Sequence, residues 1–159
     1  MIKYVLAIAL LATFSISSQA SAFNAQDVEQ LKATGSCPRC DLSNANLERT
    51  NLKKANLRDA NMSKAALSQA DLSGADLTGV NLESATLNSA ILSGTSFTGA
   101  NLKSASLENA DLTYAGFMGA DLEGANLKGV QTKFTNFRGA HFRLTTMPTG
   151  IVTSDKPYW

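Results

Sequence analysis

A repeat with a period of five residues dominates this sequence. Stepping by five from Leu42 to Phe142 gives 21 positions, of which 15 are Leu, four are Phe, one is Met62 and one is Thr132. The residue two places earlier is always small or medium-sized, and it is Ala in 15 of the 21 steps. The residue between the two is Asp or Asn at 13 positions. One structural unit therefore recurs along most of the chain.

This period matches neither the 3.6 residues of an α-helix nor the two residues of a flat strand. The chain must therefore turn once in each repeat. We expect the Leu or Phe side chain to fill the axis of a coil, and the Ala side chain to point inward near a corner that accepts only small groups. Eight of the eleven Gly residues stand two places after the Leu or Phe, where a tight turn favours positive φ.

Units such as residues 45–49 (Ala-Asn-Leu-Glu-Arg) and 75–79 (Ala-Asp-Leu-Thr-Gly) resemble the A-(D/N)-L-x-x signature of the pentapeptide-repeat proteins. The resemblance extends over residues 40–142. It implies an all-β fold, a right-handed quadrilateral β-helix with four repeats in each coil. Coils of about 20 residues then give about five coils, or a column about 25 Å long at the spacing of neighbouring strands.

Residues about 20 apart are expected to stack in columns in such a coil. One inward column holds Phe97, Phe117 and Phe137 after two Leu residues, so their aromatic rings should stack. Another column meets Thr132 in the last coil. There, either Phe134 repacks around the missing apolar side chain or the coil loosens.

The repeats divide the chain into a signal peptide (1–22), an N-terminal cap (23–40), the β-helix (41–144) and a C-terminal cap with a tail (145–159). Both ends of a repeat column need covering. Residues 27–33 are predicted to form a short capping helix that ends near Gly35, with Val28 and Leu31 on the first coil. At the other end, residues 146–150 resemble the closing segment of many family members, and Trp159 is a candidate plug over the last coil.

Residues 1–22 have the order of a secretory signal peptide, with Lys3, an apolar run from Tyr4 to Ile16 and a small-residue ending at Ala22. Cleavage is predicted after Ala22. The alternative is a membrane anchor, but the apolar run is shorter than the roughly 20 residues of a spanning helix. We therefore expect a periplasmic or secreted protein without stable membrane insertion after removal of the signal, in a compartment where disulfides persist.

The pair Cys37 and Cys40 is the one group with reactive potential, since two thiols separated by two residues form a disulfide, a redox pair or half of a metal site. Asp41 follows where a haem attachment motif needs His. The sequence shows no further metal ligands beside the pair. Exported proteins that resemble this one often carry C-x-x-C followed by D-L at this junction. A structural disulfide or capping pair is favoured over a redox or regulatory thiol pair and over a metal site.

No catalytic residue, cofactor site or metal site is predicted in the repeats. The glycines follow the turn period and form no phosphate-binding loop. His141, the only His, falls at an outward position, with no nucleophile or paired carboxylate predictably beside it. The sequence therefore does not predict an enzyme.

The net charge of +1 falls to zero when the signal peptide, which contains Lys3, is removed. The overall charge therefore does not favour a nucleic-acid partner. The charges are unevenly spread: residues 65–125 carry one basic and seven acidic residues, and residues 126–159 carry five basic and one acidic. Four apolar residues fall at outward positions and form a candidate interaction surface. They are Ile91, Tyr114, Met118 and Phe134.

These features favour a non-catalytic exported protein that acts as a structural or protein-interaction module, through an unknown protein partner or through self-association. One alternative is a thiol-redox or metal-linked factor that uses Cys37 and Cys40. A less favoured alternative is gyrase binding by DNA mimicry, which some cytoplasmic pentapeptide-repeat proteins perform. That role needs a strongly acidic surface beside DNA, whereas this chain has a near-neutral repeat domain and an export signal.

Overall fold

The computed structural model of the chain describes residues 24–154, so the signal peptide prediction and the Trp159 plug lie outside the described residues. The described part begins with one helix, α1 (Ala25–Thr34). The Asn24 side chain caps its N-terminus by accepting a hydrogen bond from the Gln26 N–H, and Gly35, at φ 67°, ends it in the left-handed conformation. Val28 and Leu31 are buried, which confirms the predicted capping helix and its inward face.

The remainder is a β-helix. Every fifth residue forms a parallel β-bridge with the residue 20 positions later, from Ser36↔Asn56 to Asn126↔Thr146. Each bridge lies between two backbone hydrogen bonds. Asn101, for example, donates its N–H to the Val80 carbonyl at 2.9 Å and accepts the Leu82 N–H at 2.7 Å. Each side of a coil contributes a single bridge residue, because the chain turns again within the next five.

The turn explains why Gly often stands two places after the Leu or Phe and why Asp or Asn often stands before it. The Leu82 carbonyl accepts the Ala85 N–H at 3.0 Å, and every fifth residue from Arg39 to Leu144 has a positive φ, as the third residue of a type II turn does. The Asp71 carboxylate accepts the Ser73 N–H at 3.1 Å, and the same Asx turn recurs at other repeats. Asp and Asn are therefore favoured before the Leu because they hold the turn that follows.

The axis of the coil is filled as the period predicts. The rings of Phe97 and Phe117 stack with centroids 4.6 Å apart, and those of Phe117 and Phe137 stack at 5.1 Å. The predicted aromatic column is confirmed.

A ladder of side-chain amides runs along one outer face. The Asn61 amide donates to the Asp41 carboxylate at 3.1 Å, Asn81 donates to Asn61 at 3.4 Å, and Asn101 donates to Asn81 at 3.1 Å. Each donor lies one coil after its acceptor. The ladder therefore ties four consecutive coils together from outside the core, as stacked Asn side chains do in other parallel β-structures.

The last coil is incomplete. The parallel stacking of one coil on the next ends where the Leu127 and Gly129 N–H groups donate to the Thr146 and Pro148 carbonyls at 2.8 and 3.0 Å. The chain then turns at Gly150 and returns, with Val152 pairing antiparallel with Thr146. An open cavity of about 410 Å³ remains, lined by Thr132, Thr135, Phe137 and Arg138. Of the two expected outcomes, repacking by Phe134 does not occur, because this side chain points outward and is exposed. Thr132 keeps the turn of the other repeats, with its carbonyl accepting the Thr135 N–H at 3.2 Å, but it is only partly buried.

An ion pair between coils gives the fold an acid-sensitive contribution. The Arg58 guanidinium lies 2.9 Å from the Asp76 carboxylate. Partial burial alone raises the pKa of Asp76, but hydrogen bonds from Thr78 and Arg58 outweigh it, so the net pKa is lowered. A carboxylate with a lowered folded pKa stabilises the protein above its unfolded pKa of about 3.9, and this contribution is lost as the pH falls through the folded value.

We therefore expect Asp76→Asn to lower the melting temperature at pH 6 and to have a shrinking effect below about pH 4. The Asn side chain keeps an oxygen to accept the Thr78 N–H, so the variant isolates the charge. Glu48→Gln, at an exposed position, is the control. Melting curves from pH 6 to pH 2 test the prediction. A difference in melting temperature between the parent and Asp76→Asn that stays constant across this range would contradict it.

Candidate functional site

The most unusual surface feature is a pair of stacked aromatic rings on adjacent coils. Tyr114 and Phe134 occupy the same turn position one coil apart, with ring centroids 5.0 Å apart and ring planes inclined by 19°. Their side chains are 64% and 66% exposed. The two rings thus form a flat apolar platform on the outside of the β-helix.

The backbone beneath this platform does not favour aromatic residues. Tyr114 and Phe134 have φ values of 60° and 59°, and Gly74 and Gly94 occupy the same corner in the two preceding coils. Bulky residues at positive φ are uncommon, because the Cβ atom crowds the backbone. Exposure and backbone conformation would both favour Gly, Asn or Ser here, so neither explains the two rings. Long side chains adopt the same positive φ at other repeats, so the unusual feature is the pair of exposed aromatic rings and not their backbone conformation.

The Phe134 end of the platform lies in the basic part of the chain. The Lys133 ammonium is 5.4 Å from the centroid of the Phe134 ring, and residues 126–154 contain four Lys or Arg and no acidic residue. Arg143 is paired with Glu123 of the preceding coil. A ligand that covers the rings therefore also lies close to positive charge. A ligand with an apolar group next to a carboxylate would complement this surface.

The structure brings together two of the four predicted surface residues. Ile91 is 43% exposed, but its neighbours in the bridge column are Asp71 and Asp111, so this column is not apolar. Met118, also 43% exposed, lies on the following side of the coil. Tyr114 and Phe134 are therefore the core of the candidate site.

Three further exposed apolar residues were missed by the sequence reasoning: Leu144, Ile151 and Val152. Leu144 has a positive φ at the same turn position as Tyr114 and Phe134, so the repeat phase contained the signal for it. Ile151 and Val152 lie in the returning segment, where the five-residue period no longer applies.

The sulfur atoms of Cys37 and Cys40 lie at disulfide-bonding distance. Both residues are buried, and the Cys40 N–H donates to the Cys37 carbonyl at 3.4 Å, in the turn that the later repeats also use. The Asp27 carboxylate of α1 lies within 4.8 Å of both sulfur atoms. It accepts the Asp41 N–H at 2.8 Å, so it joins the helix to the first repeat.

Asp27 was not identified from the sequence as a neighbour of the cysteines, because ten residues separate it from Cys37. Two Cys residues and a carboxylate are potential metal ligands, but sulfur atoms at disulfide-bonding distance from each other suit an S–S bond better than a pair of thiolate ligands. The geometry of this group fits a cap better than a metal centre. His141 lies on an exposed bridge position opposite Asp121, where the sequence placed it.

Within residues 24–154, no helix has the length and apolar character needed to cross a bilayer.

Among solved structures, the chain is similar to the pentapeptide-repeat protein Rfr23 from the cyanobacterium Cyanothece 51142. The two are 31% identical with a TM-score of 0.62, over 72% of this chain and 92% of that one. A pentapeptide-repeat protein from Nostoc PCC 7120 is 30% identical with a TM-score of 0.42, over 74% of this chain and 93% of that one. Comparison with curated protein sequences finds no significant match.

The chain is also similar to QnrB1, a plasmid-mediated fluoroquinolone resistance protein, at 24% identity and a TM-score of 0.31, over 70% of this chain and 60% of that one. At this distance the likeness concerns the fold alone. The sequence profile described as pentapeptide repeats matches residues 40–79, 75–113, 90–129 and 105–143. The chain therefore belongs to the pentapeptide-repeat family, whose members form right-handed quadrilateral β-helices and generally serve as non-enzymatic structural or interaction modules.

Proposed function

We propose that this protein is an exported, non-catalytic pentapeptide-repeat protein that binds a protein partner through Tyr114 and Phe134. The observation that carries the proposal is the exposed, stacked ring pair at a corner where the preceding coils have Gly. A completely buried aromatic residue covers about 150–250 Å², and the 64% and 66% exposure of these two leaves most of that area available to a partner. Exposed aromatic residues of this kind often contribute a large part of the binding energy of an interface.

The charges near the two rings indicate which class of protein segment would bind there. Lys133 beside the Phe134 ring, together with the excess of basic residues in 126–154, favours a protein segment that presents an apolar side chain next to an acidic one. The apolar side chain would lie on the rings, and the acidic group would meet the ammonium. Such electrostatic pairing adds specificity and accelerates association at low salt.

Export is supported by two sequence features. Residues 1–22 have the pattern of a signal peptide, and a disulfide between Cys37 and Cys40 suits the oxidising conditions outside the cytoplasm. On this proposal the disulfide has a structural role at the N-terminal cap, and the protein acts in the periplasm or after secretion.

The test begins by expressing the full chain and isolating the protein from the cell envelope as it is processed there. We expect the parent to retain a specific protein from envelope extract and a Tyr114→Ser/Phe134→Ser variant to lose it. Ser occupies the same turn position at Ser84 and Ser104, so the variant should fold. Met118→Ser is the matched control, because Met118 is also exposed but lies on another side of the coil.

The retained protein is then purified and its dissociation constant measured. Loss of two central aromatic residues typically weakens binding by at least about 30-fold, and the parent's affinity should fall as salt rises. Equal affinity of the parent and the double variant would overturn the proposal. Loss of binding in Cys37→Ser/Cys40→Ser alone would favour the thiol-linked alternative, and a concentration-dependent increase in mass would identify self-association.

A further inference from the structure

The two stacked rings stand at one end of a column of corner residues. At this corner, successive coils carry Lys54, Gly74, Gly94, Tyr114 and Phe134, each at positive φ. One face of the Tyr114 ring lies against the Phe134 ring of the following coil. The opposite face is therefore directed towards the corner of the preceding coil, where Gly94 has no side chain to cover it.

The space beside that face is open. A Cβ atom on Gly94 would lie 4.0 Å from its nearest neighbours among residues 24–154, the backbone atoms of Gly74. A Cβ atom on Gly74 would lie 3.7 Å from the Cγ atom of Lys54. A slot thus extends over Gly94 and Gly74, with the Tyr114 ring at one end and the aliphatic part of Lys54 at the other. Because neighbouring coils are about 4.8 Å apart, a ring stacked on Tyr114 would lie over Gly94.

Basic residues lie at both ends of this corner. The Lys133 ammonium is 5.4 Å from the centroid of the Phe134 ring. At the far end, Lys53 pairs with Asp71 at 3.1 Å, whereas the Lys54 ammonium pairs with no carboxylate among residues 24–154. Four coils separate the two ends of the corner, or about 19 Å. About six extended residues span this distance.

We propose that an extended segment of the partner protein lies along this corner and inserts an aromatic side chain over Gly94, against the free face of Tyr114. Aromatic rings prefer offset stacking, and Tyr114 already stacks in this way on Phe134. Acidic residues on the two sides of the inserted ring would meet the ammonium groups of Lys54 and Lys133. The inference rests on the proposed protein binding at Tyr114 and Phe134, and it specifies the chemistry of the segment that binds there.

The probe is a blocked six-residue peptide with one Trp near its middle and an acidic residue at each end. The isotope-labelled full chain is titrated with this peptide and followed by NMR. We expect saturable shifts of the Gly94 and Gly74 amide signals, because a stacked ring shields nearby protons. A peptide with Leu in place of Trp should bind about two- to tenfold more weakly. Saturable binding that shifts neither glycine, or no saturable binding at all, would overturn the proposal.

Filling the slot from within provides the matched variant. Gly94→Gln places a planar amide against the ring face, and Gln69 has the same turn position and a positive φ at another corner, so the variant should fold. We expect it to weaken peptide binding at least about fivefold. Gly99→Gln, at the next corner of the same coil, is the control, because a Cβ atom there would have open space around it within residues 24–154. Parent-like affinity of Gly94→Gln would contradict the proposal.

Lys54→Gln tests the far end of the slot. We expect it to weaken peptide binding about two- to fivefold at low salt, and the difference from the parent should shrink as salt screens the charges. Lys64→Gln is the control, since Lys64 has the same turn position at another corner, and it should bind as the parent does. Equal affinity of the parent and Lys54→Gln at low salt would contradict the proposed path of the segment.

The protein retained from envelope extract separates this inference from the proposed function. Gly94→Gln should lose that protein, as Tyr114→Ser/Phe134→Ser does. Loss in the double variant alone would overturn the slot and leave binding at the ring pair intact, whereas retention by the double variant would overturn the proposed function. Two further results would overturn the slot as a peptide site. Shifts of the Gly94 amide by chitobiose but not by the peptide would indicate a carbohydrate, and shifts that follow protein concentration alone would indicate a second copy.

Discussion

Leu87→Lys is expected to abolish the folding of at least the central coils. The Leu87 side chain is fully buried within the apolar core cluster on the axis of the β-helix, and apolar side chains cannot compensate an ammonium group. Burying an unpaired charge costs several kcal/mol, a large share of the 5–15 kcal/mol that typically stabilises a domain. Each coil is held mainly by its neighbours, so the loss spreads along the column.

Circular dichroism and urea unfolding of the purified variant provide the measurement. Ser89→Lys is the matched control, since Ser89 is an exposed turn residue of the same repeat and Lys occupies the same turn position at Lys54 and Lys64. We expect this control to change stability by no more than about 0.5 kcal/mol. A soluble Leu87→Lys protein with the parent's spectrum and unfolding midpoint would contradict the inward orientation of Leu87.

Phe117→Ala is expected to cost about 3–5 kcal/mol of unfolding free energy. The Phe117 ring is fully buried and stacks on Phe97 at 4.6 Å and on Phe137 at 5.1 Å. Its removal leaves a cavity in the middle of the aromatic column and breaks two ring contacts, each worth about 0.5–1.5 kcal/mol beyond the buried area.

Phe117→Leu is the control, because Leu57 and Leu77 fill the same column in earlier coils. We expect it to cost clearly less than the Ala variant, as most of the volume is retained. Urea unfolding of the three proteins measures both differences. Equal losses of unfolding free energy in Phe117→Leu and Phe117→Ala would show that ring stacking, and not the filling of the axis, determines stability in this column.

The axial columns and the capping helix were predictable because their determinants are local and periodic. A five-residue period places Leu82, Leu87 and Leu92 inward whatever their neighbours are, and a spacing of 20 residues brings Phe97 next to Phe117. The same phase identified Tyr114 and Phe134 as outward residues. Their stacking then follows from their equal position in consecutive coils.

Other features depend on residues that no period connects. Asp27 meets Cys37, Cys40 and the Asp41 N–H because α1 packs on the first coil, and helix packing is not readable from the repeat. Whether Phe134 would turn inward at the Thr132 gap was likewise left open by the sequence, since the period places this residue outward but the gap lies beside it. The positive φ of Phe134 directs its ring outward instead.

The repeat alone therefore specified a turn in every five residues, a filled axis and the face on which each side chain lies, because every repeat sees nearly the same environment; the family resemblance supplied the four-sided β-helix. How each end meets the column was decided only by three-dimensional packing. At the N-terminus the helix and the cysteine pair meet through contacts distant in sequence. At the C-terminus the chain turns back at Gly150 before a further coil is complete, and this reversal leaves the Thr132 cavity open.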